Sequence, residues 1–332
     1  MQPDGSMVAE ASADPILVAH DIHRSYGARR ALRSLSFSLR PGRVLGFLGP
    51  NGAGKTTAIR VLTTVLEPTS GRFEVDGVSS EHPEQIRRRI GVLPEGLGFP
   101  RNTSAVDYLT FYGQLYGRRS NDARRVAREL LATVGLEARA QSLIETYSHG
   151  MRQRLGIARS LVNDPRVVFL DEPTLGLDPR GQQELLKMIQ GIARERDAGV
   201  VLSSHLLSEI EGICDDVVIM NAGQIVAKGT VAEVLGRATT DGLRQNTVRV
   251  RVPAASVDAA AAVVGDLDRA RATDREPSGW LMVEFVDGST IDADRNRLLD
   301  SLIRADIPIV GFEVAGARLQ DVFMQLTAEA IA

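Results

Sequence analysis

The fold is decided by FLGPNGAGKTTAIR, residues 47 to 60, where an apolar run passes through a glycine-rich loop into an amphipathic segment. The run from Val44 to Leu48 is short and apolar, which is typical of a strand buried on both faces. A helix is expected to begin at Gly54 or Lys55 and to continue to about Leu66, before EPTSG interrupts it. The loop between strand and helix matches the spacing G-x-x-x-x-G-K-T of a P-loop.

The composition of this loop suits the binding of phosphate groups. Glycines let the backbone turn with its N–H groups pointing inward, and the start of the helix adds free N–H groups and a positive dipole end. Lys55 would place its charge on the β and γ phosphates, and Thr56 would offer its hydroxyl to Mg²⁺. The predicted nucleotide-binding residues are Gly49, Pro50, Asn51, Gly52, Ala53, Gly54, Lys55, Thr56 and Thr57. The loop predicts a nucleoside triphosphate, but it does not specify the reaction.

Two adjacent carboxylates follow a second apolar strand, in VVFLDEP at residues 167 to 173. Successive residues at the end of a strand point in different directions. We therefore expect Asp171 to hold the Mg²⁺ shell and Glu172 to face the γ phosphate and polarise a water molecule. This pair, together with the loop, predicts hydrolysis of the triphosphate.

A third segment, YSHGMRQRLGIARSL at residues 147 to 161, begins a predicted helix. Ser148 stands where a helix N-cap is expected, so capping alone would explain it. Alternatively, Ser148 and the N–H group of Gly150 form a second anion site. Such a site lacks an obvious partner in its own half of the chain and would suit the γ phosphate of an ATP bound to another copy.

The chain has 332 residues and a net charge of −3, and a single cysteine, Cys214. This length allows about two domains. The charge argues against a broad basic face for nucleic acid. A single cysteine cannot form an internal disulfide, which suggests a reducing compartment, and Cys214 is expected to be a small buried apolar residue. Residues 1 to 14 are expected to be a disordered tail without signal-peptide features. Because no apolar run of about 18 residues occurs, a membrane role would require another chain to cross the bilayer.

The chain divides into two predicted domains. Strands alternate with helices from 15 to 238, which favours an α/β domain with a mostly parallel sheet and right-handed crossovers. ATTDGLRQN near residue 240 is a plausible linker. Residues 239 to 332 predict the order strand, helix, strand, strand, helix, strand, provided that the weak segment near Ala270 is a strand. This order suggests a small α+β domain packed on one antiparallel sheet.

With these segments together, residues 16 to 238 resemble the ATP-binding subunits of ABC transporters. GPNGAGKTT resembles their Walker A motif, VVFLDEP their Walker B motif and YSHGM their signature sequence, while LGLDP and LSSHLLSEIE resemble the D-loop and the switch region. The resemblance implies a mixed sheet core with an antiparallel β subdomain and a helical subdomain. It also implies that Glu172 is catalytic, that His205 donates to the γ phosphate, that Asp178 is the D-loop residue and that Tyr26 stacks on adenine.

The sequence departs from the family pattern at two places. Tyr147, His149 and Met151 replace three residues of the usual Leu-Ser-Gly-Gly-Gln signature, although Ser148 and Gly150, the pair that the chemistry needs, remain. Glu95 stands where the family has the Q-loop glutamine, and its carboxylate could still serve Mg²⁺ as an oxygen ligand. The predicted metal ligands are therefore Thr56, Glu95 and Asp171.

The resemblance implies a homodimer that closes around two ATP molecules with Mg²⁺ and drives a separately encoded membrane permease at the cytoplasmic face of the cell membrane. LQDVFMQLT near the C-terminus resembles the daunorubicin-resistance-like branch of drug exporters, which implies export of a drug, lipid or other amphiphile. Pairing with a different ATPase subunit stays open. The alternatives are a permease-free ABC ATPase acting on ribosomes or DNA, and a P-loop kinase that phosphorylates a small acceptor.

Overall fold

The computed structural model describes residues 14–96, 98–204, 207–240, 247–267, 270–275, 278–285 and 291–314, together with Leu319 and Phe323. The chain divides into two compact units, with the division between Val231 and Ala232. The predicted domain boundary between residues 238 and 239 stays a prediction. Among the described residues, no helix is long and apolar enough to cross a lipid bilayer.

The strands of the first unit form two sheets. In chain order they are β1 (Leu17–Tyr26), β2 (Arg29–Leu39), β3 (Val44–Leu48), β4 (Ser70–Val75), β5 (Val78–Ser79), β6 (Ile90–Leu93), β7 (Val167–Asp171), β8 (Gly199–Ser204), β9 (Asp216–Asn221) and β10 (Gln224–Thr230). The first sheet has the order β2-β1-β4-β5, and its strands pair antiparallel. The second has the order β10-β9-β3-β8-β7-β6, and its only antiparallel described pair is β9 with β10.

The described helices that begin in the first unit are interspersed with these strands along the chain. They are α1 (Lys55–Leu62), α2 (Pro83–Arg87), α3 (Ala105–Leu115), α4 (Ser120–Thr133), α5 (His149–Ser160), α6 (Pro179–Glu195), α7 (Leu207–Ile213) and α8 (Val231–Thr240), the last of which begins at the division between the units. Helix α1 ends four residues before the predicted position near Leu66. It ends because Thr64 adopts a left-handed φ of 61°, and the N–H groups of Val65 and Leu66 turn back to the Arg60 carbonyl oxygen.

The centre of the second sheet explains where the site lies. Every residue of β3, β7 and β8 is buried, as expected for apolar strands covered on both faces. Phe47 and Phe169 belong to the core cluster that joins this sheet to the antiparallel one. Because these strands are parallel, their carboxyl ends meet at one edge, where ligands of open α/β sheets bind. The predicted α/β class is confirmed.

The second unit contains the predicted small α+β domain. Its elements are β11 (Thr247–Arg251), α9 (Val257–Gly265), β12 (Ala270–Arg275), β13 (Trp280–Phe285), α10 (Ile291–Arg304) and β14 (Gly311–Val314). The strands pair antiparallel in the order β12-β13-β11-β14. The weak segment near Ala270 is therefore a strand. The helix predicted in RLQDVFMQLTAEA lies outside the described residues except at Leu319 and Phe323.

Candidate nucleotide site

The loop after β3 delivers the start of α1 to the carboxyl edge of the sheet. Gly54 precedes the helix with a φ of 106°, a conformation that L side chains rarely adopt. A Cβ atom at Gly54 would also lie 2.9 Å from the Ala31 carbonyl oxygen. Among the described residues, no side chain caps α1, and its first turn carries no acidic residue. Its N–H groups and positive dipole end are thus suited to an anion.

Gly49 is required for a different reason from the one inferred from sequence. A Cβ atom there would lie 2.5 Å from the Met220 carbonyl oxygen and 2.8 Å from the Ala53 Cβ atom. This glycine therefore allows the loop to pack against the end of β9. By contrast, a Cβ atom at Gly52 would meet no heavy atom within 4 Å, so this glycine borders open space.

Lys55 lies inside the loop rather than extending into solvent. Its side chain is buried, with 7% of the residue exposed. The ammonium donates to the carbonyl oxygens of Gly49 and Pro50, at 2.5 and 3.4 Å. Burial lowers the pKa of Lys55 because it removes water from the charge, while the negative charges of Glu172 and Asp171 act in the opposite direction. The loop therefore holds a partly desolvated cation close to the backbone N–H groups that are predicted to bind phosphate.

A cleft of about 780 Å³ opens over this loop. Among the residues predicted to form the site, it is lined by Pro50, Asn51, Gly52, Ala53, Gly54, Lys55, Thr56, Thr57, Glu95 and Glu172. Neither Gly49 nor Asp171 nor Tyr26 lines this cleft among the described residues. The sequence analysis missed Arg29, Arg30 and Arg33, which line the same cleft from β2.

Asp171 and Glu172 are both connected to Ser203, which the sequence analysis did not select. The Ser203 hydroxyl donates to Asp171 Oδ1 at 2.6 Å and accepts from the Glu172 backbone N–H at 3.0 Å. Asp171 and Ser203 stand opposite each other in the register of β7 and β8. Glu172 has a left-handed φ of 50°, which is costly for a residue with a side chain and has to be held by its surroundings. The position of Ser203, two residues before the predicted switch residue His205, was the signal in the sequence that could have identified it.

Tyr26 stands at the end of β1 and is half exposed. The guanidinium carbon of Arg24 lies 4.9 Å from the centroid of its ring, and Arg24 Nη1 donates to the Glu67 carbonyl oxygen at 2.8 Å. Arg24 Nε is buried and has no hydrogen-bond partner among the described residues. A fixed cation thus covers one face of the ring, an arrangement that allows a base to stack on the opposite face.

A second cleft, of about 460 Å³, contains the residues predicted to complete the site of another copy. Ser148, Gly150 and Asp178 line it, and none of the nucleotide-binding loop residues does. The Ser148 hydroxyl accepts from the Met151 N–H at 3.3 Å, so Ser148 also caps α5. Asp178 caps α6 in the same way, accepting from the Gly181 N–H at 3.1 Å.

The unusual residues of the signature segment have local roles. Tyr147 is buried, and its hydroxyl donates to the Arg139 carbonyl oxygen at 2.7 Å. Burial raises the pKa of Tyr147, and the nearby charge of Arg139 only partly opposes this. His149 contacts the Leu175 carbonyl oxygen at 2.8 Å. The predicted site residue His205 lies outside the described residues.

Comparison with known proteins agrees with these features. A family model described as ABC transporter matches residues 32–175. The chain is 34% identical over 310 residues to the daunorubicin/doxorubicin resistance ATP-binding protein DrrA of Streptomyces peucetius, covering 91% of this chain and 89% of that protein. It is 40% identical over 212 residues to the bacitracin transport ATP-binding protein BcrA of Bacillus licheniformis, covering 64% and 68%.

A solved structure of an ATP-binding subunit of an ABC transporter is also similar. It is 30% identical in sequence and superimposes with a TM-score of 0.60, covering 69% of this chain and 94% of that one. The sequence resemblance and the predicted ABC ATPase fold are thereby confirmed. The chain belongs to the ABC transporter family, as an ATP-binding subunit with ATPase activity.

Proposed function

We propose that two copies of this chain close around two ATP molecules. Each ATP lies between the loop of residues 49–57 in one copy and Ser148 and Gly150 of the other. The observation that supports this most is the separation of the two sets of residues, which line different clefts of the same chain. Because each set carries groups suited to phosphate, a second copy offers the simplest way to bring both to one nucleotide.

Within each site we assign separate tasks to the residues around the phosphates. The loop N–H groups and Lys55 hold the phosphates, Glu172 polarises the attacking water, and His205 donates to the γ phosphate. Asp178, near Ser148, faces the partner. ATP favours the closed dimer only through contacts that it makes better there, so loss of the γ phosphate on hydrolysis removes those contacts and reopens the dimer.

The donor atoms near the loop are suitable for Mg²⁺. Thr56 supplies a hydroxyl oxygen, and Asp171 and Glu95 supply carboxylate oxygens, which are the hard ligands that this ion prefers. Among the described residues, no three His, Cys, Asp or Glu side chains form a metal-binding group. This fits Mg²⁺, which usually takes one or two protein carboxylates together with substrate phosphates and water. When bound, the ion would neutralise charge on the β and γ phosphates.

Tyr26 would bind the adenine ring. Its partly exposed ring stands at the end of β1, directly opposite Arg29 of β2, which lines the nucleotide cleft. Stacking of a base on an aromatic ring contributes about 1–3 kcal/mol.

The chain would act at the cytoplasmic face of the cell membrane by driving a separately encoded permease. The names of the relatives refer to daunorubicin, doxorubicin and bacitracin, so we propose export of an amphiphilic drug or lipid. A neighbouring gene for a membrane protein with about six spans would identify the permease. Co-expression of the two proteins should then give ATPase activity that rises with amphiphilic compounds and not with small polar solutes.

Dimer formation is the decisive test of the shared site. Glu172→Gln should bind ATP without steady-state turnover and should form dimers in the presence of ATP and Mg²⁺, as measured by analytical ultracentrifugation. Adding Ser148→Arg should keep the chain monomeric with its ATP affinity unchanged. The control is Ser120→Arg, which places the same bulk and charge on an exposed residue of α4 that does not cap its helix.

Three results would contradict the proposal. If Glu172→Gln hydrolyses ATP at the parent rate, Glu172 is not the general base. If this variant stays monomeric when saturated with ATP, no homodimer forms around the nucleotide. If the chain carrying Ser148→Arg dimerises as well as the Ser120→Arg control, Ser148 does not face the partner's nucleotide.

A further inference from the structure

We propose that His149 is a positioning residue that connects the start of α5 to the loop of residues 175–178 (the 175–178 loop). Through this connection, Ser148 and Gly150 on one side and Asp178 on the other meet a second copy as a single rigid surface. The proposal deepens the shared-site function and rests on it.

The first step is the hydrogen bond between the imidazole and the loop. His149 Nε2 lies 2.8 Å from the Leu175 carbonyl oxygen. A carbonyl oxygen can only accept a hydrogen bond, so Nε2 carries the proton and donates. The Leu175 carbonyl group therefore fixes Nε2 as the protonated nitrogen of the ring. The contact joins residues that are 26 positions apart in the chain.

The second step is the packing around that bond. A Cβ atom at Gly176 would lie 3.1 Å from His149 Nε2, which is tighter than an ordinary van der Waals contact. The absence of a side chain at Gly176 therefore leaves the space that the imidazole occupies. On the adjacent residue of α5, a Cβ atom at Gly150 would lie 3.4 Å from Leu177 Cδ2. The 175–178 loop thus packs along the first turn of α5 at two successive positions.

The third step connects the same loop to the predicted general base. The Leu175 N–H donates to the Glu172 carbonyl oxygen at 3.2 Å, in a turn that follows β7 directly. The Glu172 N–H in turn donates to the Ser203 hydroxyl at 3.0 Å. Ser203 therefore holds the segment from Glu172 onward where it leaves the sheet, and His149 holds it one turn later.

These contacts matter for dimer closure because both groups that would face the partner depend on them. Ser148 and Asp178 line the same cleft of about 460 Å³, yet they belong to different helices, α5 and α6. A surface that is already ordered loses less entropy on binding. A glycine at position 149, as in the usual family signature, has no side chain to make this connection. In this chain, closure should therefore depend on the imidazole.

The test compares substitutions at position 149 in the Glu172→Gln background. Glutamine can place a side-chain N–H donor at about the reach of Nε2, whereas asparagine is shorter by one carbon and alanine has no donor. We expect His149→Ala and His149→Asn to raise the ATP concentration for half-maximal dimerisation roughly 3- to 10-fold, the effect of losing about one hydrogen bond. His149→Gln should stay within about two-fold of the parent. Analytical ultracentrifugation measures the dimer.

A readout on the single chain separates this inference from the shared site itself. In ATP-free protein, His149→Ala should accelerate hydrogen–deuterium exchange of the amides from Leu175 to Asp178, and His149→Gln should not. Thermal midpoints should stay close to parent values because His149 is exposed, and monomer affinity for ATP should stay unchanged because His149 does not line the cleft over the loop of residues 49–57.

The outcomes are distinguishable. If the Glu172→Gln parent dimerises and His149→Ala dimerises equally well, the positioning role is wrong. If asparagine restores dimerisation as well as glutamine, the Leu175 contact is not what matters. If the Glu172→Gln parent itself stays monomeric, the shared site is wrong. Hydrogen–deuterium exchange then decides alone whether His149 orders the 175–178 loop, and unchanged exchange in His149→Ala would overturn the inference.

Discussion

Ser203 joins the two carboxylate residues at the end of β7, and its replacement by alanine tests how they are held. The residue is fully buried, with 0% of its surface exposed. Its hydroxyl donates to Asp171 Oδ1 at 2.6 Å and accepts from the Glu172 N–H at 3.0 Å. Ser203→Ala removes both bonds at once and leaves both partners in place, at a point where water has little access.

The expected cost follows from those two bonds. A hydrogen bond to a carboxylate is worth about 1.5–3 kcal/mol and a neutral one about 1 kcal/mol. We therefore expect the free energy of unfolding of the first unit to fall by about 2.5–4 kcal/mol. Turnover should fall by about ten-fold or more, because the Glu172 backbone loses its anchor, yet by less than the 10²- to 10⁴-fold typical of losing a general base.

The stability assay is urea unfolding of the full chain followed by circular dichroism. The transition of the first unit is identified by its shift to higher urea when ATP is added, since a ligand stabilises only the unit that binds it. Steady-state phosphate release gives kcat and KM. Ser160→Ala is the matched control, because Ser160 is also buried and, among the described residues, its hydroxyl bonds within its own helix, to the Ile157 carbonyl oxygen at 2.7 Å.

The reasoning would be refuted if Ser203→Ala and Ser160→Ala had the same stability and the same kcat. A variant that loses stability but keeps the parent kcat would refute one part of it, namely that Ser203 positions Glu172.

Three further predictions follow from other contacts. Lys55→Met should abolish ATP binding, as measured by calorimetry, without lowering the thermal midpoint of the ATP-free protein. Burial lowers the pKa of Lys55, so the buried charge costs stability at neutral pH, and the stability of the parent should rise with pH between that lowered pKa and the ordinary pKa of an unfolded lysine. Arg24→Met should weaken ATP binding about three- to ten-fold and leave tripolyphosphate binding unchanged, because Arg24 lies on the ring of Tyr26; equal losses for both ligands would contradict this. Cys214 is buried, which raises the pKa of its thiol, so it should react with a disulfide reagent at pH 8 only after unfolding; rapid reaction of the native protein would oppose this.

Much of this site could be predicted from sequence because its parts are contiguous in the chain. The loop from Gly49 to Thr57 and the pair Asp171 and Glu172 each combine a strand end with the residues directly after it, so the local pattern fixes their position on the sheet edge. The same holds for the alternation of strands and helices, which predicted the parallel sheet and the small antiparallel domain.

Contacts between distant segments could not be predicted in this way. The bond from Ser203 to Asp171 depends on the register of β8 against β7, and the contact of His149 with Leu175 depends on how a loop packs against a helix start. Gly49 could be assigned to the loop, but its approach to Met220 requires the placement of β9 beside β3.

By itself, the sequence predicted which residues carry the phosphate chemistry, and it determined that the loop of residues 49–57 and Glu172 follow buried strands, because chain connectivity and hydrophobic pattern act over a few residues. Only the tertiary structure decided which of those residues share a cleft, which hydrogen bonds hold them, and that Ser148 and Asp178 line a cleft separate from that of the nucleotide-binding loop. These distances depend on strand register and loop packing between segments far apart in the chain, and no local pattern encodes them.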